Sequence, residues 1–194
     1  MRIGIDISQI AYEGTGVGNY IRNLVSQLLT DDKTNEYVLF GASLRQRDKF
    51  RSFYQSISCD HKKVSLRIVT IPPTILDFLW NSLHIVPIEW FIGDVDVFWS
   101  SDWTQPPLLH ARGLTTVHDL VVLKFPAETH ATTGFRFSVL APAANIVATQ
   151  KRRLYWAKKE CDMFLCDSEA TMKDCMSLLG IGKEKLRVVY PGFR

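Results

Sequence analysis

The stretch MFLCDSEATMKDCMSLLGIGKEKLRVVYPG, from Met163 to Gly192, decides the fold. Met163 to Ser168 reads as a strand. Ser168 reads as the N-cap of the helix that follows, because its side-chain oxygen can accept a first-turn N–H. Gly180 ends that helix, with Ile181 just beyond it, in the manner of a glycine C-terminal stop. Leu186 to Gly192 reads as a second strand. Strand, helix and strand in one direction form the repeating unit of a parallel sheet.

The same alternation runs through the rest of the chain. Ile3, Ile5 and Ile7 mark an opening strand, and Tyr20, Ile21, Leu24, Val25, Leu28 and Leu29 recur at helical spacing. Tyr37 to Gly41 is a second strand, and Phe50, Phe53, Tyr54 and Ile57 line one face of a second helix. A third strand through Leu66, Ile68 and Ile71 stops at Pro72-Pro73. The bulky segment Ile75 to Ile92 is expected to be helical in two pieces, since Pro87 lacks a helix donor. Val95 to Trp99 and Thr115 to Asp119 are strands four and five, and a helix is expected around Gln150 to Glu160. The fold class expected is α/β, a Rossmann-like parallel sheet of about seven strands with helices on both faces. Ligands of such sheets gather at the carboxyl ends of the strands.

Composition agrees. A chain of 194 residues corresponds to about 1.3 domains, one large domain or one plus a linker rather than a two-domain enzyme. With 46% hydrophobic and 22% charged residues it can bury a core, which excludes disordered and fibrous classes. A net charge of +3 without a charged tail is too mild to argue nucleic-acid binding. The four cysteines, Cys59, Cys161, Cys166 and Cys175, lack metal-ligand spacing and read as small hydrophobes of a reducing compartment. MRIGIDI enters a strand at once, so no signal peptide is expected. Apolar density peaks between Ile71 and Trp99 but is broken by Asp77, Asn81, His84, Pro87, Glu89, Asp94 and Asp96, so no spanning helix is expected.

Four segments follow strands and are candidates for chemistry. Glu13-Gly14-Thr15-Gly16-Val17-Gly18-Asn19-Tyr20 opens a helix, where backbone N–H groups favour a phosphate or diphosphate. It is GxGxG, about six residues later than the dinucleotide fingerprint, and no GK[ST] follows; turn chemistry without a ligand is the other reading. Val117-His118-Asp119-Leu120 places a histidine at a strand's carboxyl end, either facing ligand or structural. Asp167-Ser168-Glu169 opens a helix, and the cap explains Ser168 by itself. Ser100-Ser101-Asp102-Trp103-Thr104-Gln105-Pro106-Pro107 is either a sugar-binding lip or a plain loop with a packed tryptophan. His61, His84, His110 and His130 read as surface or packing residues. Phe78, Trp80, Trp90 and Phe91, with Lys151, Arg152, Arg153, Lys158 and Lys159, fit either a membrane-surface contact or a core helix and a solvated helix end. No Ser-His-Asp spacing, GxSxG elbow or HExxH occurs, which removes hydrolase and metalloprotease readings.

Taken in order, MRIGIDIS, GTGVGNYIRNLVSQLL, DVDVFWSSDWTQPP, TTVHDLVVLKFP and the stretch from Cys161 to Gly192 resemble the N-terminal domain of GT-B-fold retaining glycosyltransferases of the group 1, family four type. The resemblance implies an acceptor-side domain over residues 1–190. A linker would begin at 191–194, leading to a donor-binding domain not contained in this chain. It implies transfer of a hexose-like sugar from a nucleotide-sugar to a glycan, lipid or polysaccharide precursor. No covalently bound cofactor and no metal would be required, and the location would be cytoplasmic with possible contact at the membrane face. Gly16, Val17 and Gly18 would form the loop at the donor diphosphate and acceptor, and His118 would contact the donor sugar as the catalytic residue. Asn19, Asp102, Trp103, Asp119, Ser168 and Glu169 would lie on the acceptor side. Two departures stand out: Asn19 replaces a commonly basic residue, and Trp99 stands where a histidine is frequent, suggesting a different lip of the acceptor cleft. The family's Glu-x7-Glu pair belongs to the second domain, and no two glutamates here are so spaced. The alternative expectation is a non-catalytic Rossmann-like module that binds a phosphorylated small ligand.

Overall fold

The computed structural model describes residues 1–58, 63–125 and 146–192. Cys59, His61, His130 and the expected linker residues Phe193 and Arg194 lie outside them. Seven parallel strands form one sheet: β1 (Arg2–Asp6), β2 (Glu36–Ala42), β3 (Val64–Val69), β4 (Val97–Ser100), β5 (Arg112–Val117), β6 (Cys161–Cys166) and β7 (Leu186–Val188). Their order is β3-β2-β1-β4-β5-β6-β7, a Rossmann-like arrangement whose direction of growth reverses between β1 and β4. The helices are α1 (Gly16–Asp31), α2 (Arg47–Ser58), α3 (Pro73–Leu76), α4 (Glu89–Ile92), α5 (Val121–Lys124), α6 (Ile146–Glu160) and α7 (Glu169–Leu179).

One layer packs α1 and α2 on the sheet. Ile21, Val25 and Leu29 of α1 and Phe50, Phe53 and Ile57 of α2 meet Ile5, Tyr37, Leu39 and Trp99. The opposite face meets Leu76, Trp80 and Ile92 over Val38, Phe40 and Phe98, and Leu154, Ala157 and Cys175 over Phe164 and Cys166. Alternating side chains of β2 therefore enter different cores, as a sheet covered on both faces requires. Burying each of Phe40, Phe50, Phe98 and Phe164 contributes roughly 1.5–3 kcal/mol. Cys161, Cys166 and Cys175 are all buried and unbridged, and burial pushes the Cys161 thiol up to about 12.

Boundaries differ from the sequence reading where loops take over. β5 begins at Arg112 and ends at Val117, and β6 runs from Cys161 to Cys166, so His118 and Asp167 stand just beyond the strands. The helical break expected at Pro87 lies upstream. A π-helical turn, Asp77–Ser82, is followed by His84 and Val86 at φ of 53° and 67°. The Trp80 indole N–H donates to the Val86 carbonyl at 2.9 Å and steadies this strained backbone. Among the described residues no helix is long and apolar enough to cross a membrane.

Candidate functional site

The reversal of strand order opens a crevice at the carboxyl ends of β1 and β4. Asp6 closes β1 at its floor. Burial pushes its carboxyl above the usual range, against hydrogen bonds from Ser8 and Ser101. The chain then makes a 3-10 turn, Ser8–Ala11, before the glycine segment. Thr15 is the N-cap of α1: its hydroxyl donates to the Tyr12 carbonyl and its Oγ1 accepts the Gly18 N–H at 3.1 Å. The three glycines have three different reasons. Gly14 adopts φ +77°; a Cβ on Gly18 would lie 2.8 Å from the Tyr12 carbonyl oxygen; and Gly16 faces open space. The Gly18 amide expected to face an anion is thus taken by the cap, and Gly16 and Val17 supply the first-turn N–H groups. Asn19 lines a hollow of about 300 Å³ with Gly18, Glu13 and Arg22. Arg22, one turn further along α1 than Asn19, brings a basic side chain to that hollow.

His118 follows β5 directly. Its Nδ1 lies 2.6 Å from Asp167 Oδ2, just past β6, and its carbonyl accepts the Thr171 hydroxyl of α7 at 3.1 Å. A carboxylate at Nδ1 requires the proton there, which leaves Nε2 as the outward atom. Tyr20, one turn into α1, meets the imidazole edge-on with centroids 4.9 Å apart. Burial, helped by the Asp167 charge, pushes the Tyr20 phenol up to about 12. The histidine is thereby fixed beside the start of α1. Ser168 Oγ accepts the Thr171 N–H at 3.1 Å as the cap of α7, Glu169 is exposed in its first turn, and Asp119 Oδ1 accepts the Val121 N–H at 3.0 Å.

The loop after β4 is held from two sides. Asn81 of the π turn donates to the Trp103 carbonyl at 2.9 Å and accepts the Gln105 N–H at 2.9 Å. Arg153 of α6 donates to the carbonyls of Ser101 and Thr116 at 3.1 and 3.0 Å and to the Thr115 hydroxyl. Its Nη1 is 3.4 Å from Asp102 Oδ1. Burial raises the Asp102 carboxyl, offset by Arg153 and by His118 and reinforced by Asp119 and Asp167, so these groups share one electrostatic neighbourhood. One reading needs correction. Arg153 is fully buried rather than part of a solvated or membrane-facing helix end. Trp99 is buried in the core, and its indole N–H donates to Thr116 Oγ1 at 3.0 Å. Trp103, by contrast, is half exposed and stacked on Tyr12 with ring centroids 6.3 Å apart. Beneath it lies a cavity of about 230 Å³ whose walls include Ser8, Gln9, Ala42, Thr74 and Thr104.

Every site residue named from the sequence thus lies along the carboxyl edge of the sheet. Asp167 and Tyr20 stood in candidate segments without a role of their own, Arg153 was read as part of a basic helix end, and Gln9 carried no signal. Asp167 carried one signal, its place immediately after a strand, but its partner is 49 residues away. Arg153 shares the buried side of α6 with Leu154 and Ala157, a spacing that counter-indicates solvent.

No family model matches the sequence, and no curated protein matches it. Among solved structures, a short-chain dehydrogenase from Oenococcus oeni PSU-1 aligns over 99% of this chain and 96% of its own, at 10% identity and a TM-score of 0.41. That likeness is too loose to bear on function.

Proposed function

We propose that this chain is the acceptor-side domain of a retaining, GT-B-type glycosyltransferase that uses a nucleotide-sugar. The observation that carries the reading is His118, held by Asp167 at the carboxyl end of β5 and edge-on to Tyr20 at the start of the glycine-opened helix. In this reading the departing diphosphate lies at the amides of Gly16 and Val17, where a helix N-terminus stabilises developing negative charge. His118 Nε2 contacts a hydroxyl of the donor sugar, and Asp167 positions the ring. The acceptor approaches over Asp102 and Trp103 on the same face of the sugar that the diphosphate leaves, and its hydroxyl proton passes to the departing phosphate oxygen. The nucleotide pocket belongs to a second domain, so the chain alone is expected to be nearly inactive.

The test is turnover of nucleotide-sugars by the product of the whole gene. His118→Ala is expected to lower kcat about 10²–10⁴-fold. Asp167→Asn should lower it less and shift the pH profile, because the imidazole loses its orienting charge. A gene product without a second α/β domain, or full turnover by His118→Ala, would sink the reading. Binding of sugar phosphates with no turnover would instead favour the phosphorylated-ligand module, which the amides of Gly16 and Val17 equally suit. A peripheral membrane contact through exposed Phe78 and Trp90 is part of the same proposal, and absence of co-sedimentation with anionic liposomes would remove it.

A further inference from the structure

The cavity beneath Trp103 contains a polar group with no work to do in the fold. Gln9 is 2% exposed, and neither its Nε2 nor its Oε1 has a hydrogen-bond partner. Its neighbours are differently placed. Ser8 Oγ accepts the Ala42 N–H at 3.0 Å, Ser101 Oγ accepts the N–H groups of Trp103 and Thr104, and the Gln150 amide donates to the Asp102 carbonyl. Even the Gln9 main chain is used, its carbonyl accepting the Tyr12 N–H at 3.0 Å. Burying an unpaired carboxamide is unfavourable, and an apolar side chain of similar shape would serve the fold better.

We propose that this cavity is a subsite for one sugar ring, in which Gln9 reads two neighbouring hydroxyls. The choice of a sugar rests on the transfer reading above. A carboxamide carries a donor and an acceptor side by side, so one hydroxyl can donate to Oε1 while the next accepts from Nε2. The half-exposed faces of Trp103 and Tyr12 at the mouth suit the C–H face of a pyranose. The volume, about 230 Å³, is below the roughly 300–1,000 Å³ typical of drug-sized ligand sites, which favours a single ring over a disaccharide. The loop that carries Trp103 also carries Asp102, which the transfer reading places on the acceptor's path.

The experiment is an NMR titration of the ¹⁵N-labelled chain with methyl α-glucopyranoside, methyl α-mannopyranoside and N-acetylglucosamine, with uridine and nicotinamide as flat, amide-bearing controls. At least one pyranoside is expected to shift the Gln9 side-chain amide and the Trp103 indole together, saturably. Gln9→Met should weaken that binding at least tenfold while raising Tm, and Trp103→Ala should weaken it without lowering the fold's cooperativity. The proposal is overturned if no pyranoside shifts these signals, if uridine or nicotinamide does so instead, or if Gln9→Met binds sugar as well as the parent. A lower Tm for Gln9→Met would also overturn it, since Gln9 would then be structural. None of these outcomes touches the transfer reading, which stands or falls on turnover by the full-length product.

Discussion

The two ends of the sheet treat their polar groups in opposite ways. At the amino ends of the strands, Asp32 accepts from the Thr34 N–H and hydroxyl at 2.8 and 2.7 Å, from the Asn35 side chain and from the Tyr37 hydroxyl at 2.6 Å. Those bonds hold its carboxyl far below the usual carboxylate range. Glu89 Oε1 accepts three successive N–H groups, from Leu109, His110 and Ala111. At the carboxyl ends, Asp6 and Asp102 are pushed the other way by burial, and Gln9 and Asp167 Oδ1 are buried without partners. Among the described residues Glu89 Oε2 breaks the pattern, being also buried and unpaired. The contrast teaches which end serves the fold. Saturated carboxylates stabilise it, whereas unsatisfied buried groups are a cost that a ligand can relieve.

The sharpest way to break this comparison is to remove the buried cation at the carboxyl end. Arg153→Met leaves Asp102 without its cation and should cost about 3–5 kcal/mol by chemical denaturation. Adding Asp102→Asn should recover much of that loss, because a neutral partner no longer needs the charge. If the double variant is as unstable as the single one, Arg153 acts through its three other acceptors and the electrostatic account is wrong.

A smaller effect separates the glycines. Gly18→Ala forces a Cβ against the Tyr12 carbonyl and should cost about 1–3 kcal/mol. Gly16→Ala meets nothing within 4 Å and should change stability by less than about 0.5 kcal/mol, while weakening any phosphate-bearing ligand. Equal losses of stability in both would deny Gly16 a role beyond the turn.

The smallest effect has opposite signs at the two ends. A raised pKa means that the native state holds its proton more tightly than the unfolded chain. Stability therefore falls as pH rises from the ordinary value of 3.8 through the raised one. Asp6→Asn, which cannot ionise, should gain stability at neutral pH and lose that gain below about pH 3.8. For Asp32, held low, the contribution is full above 3.8 and lost as pH falls through the lowered value. Asp32→Asn should thus be less stable at neutral pH and approach the parent in acid. Denaturation at pH 7 and pH 3 checks both, and equal signs at the two ends would end the comparison.

Most of the fold was readable because it follows from local rules. Ser168 and Gly180 cap α7 in the structure as the sequence implied, with Gly180 at φ 61°, and the apolar spacing of Ile21, Val25 and Leu29 sets the buried side of α1. The site was readable only in part. Strand endings announced His118, Gly16 and Trp103, since each residue type carries its chemistry wherever a crevice lies. The π turn and the left-handed His84 and Val86 left no trace, because the Trp80 indole and the packing of Asn81 on the loop after β4 determine them.

By itself, then, the sequence determined an alternating parallel α/β chain and the edge of the sheet on which chemistry would collect. Periodicity, caps and strand ends are properties of neighbouring residues. Tertiary structure alone decided that Asp167 orients His118 across 49 positions, that Arg153 is a buried clamp rather than a surface charge, and that Gln9 is left unpaired. Pairing and burial depend on distances between segments far apart in the chain, and only the packed sheet sets those distances.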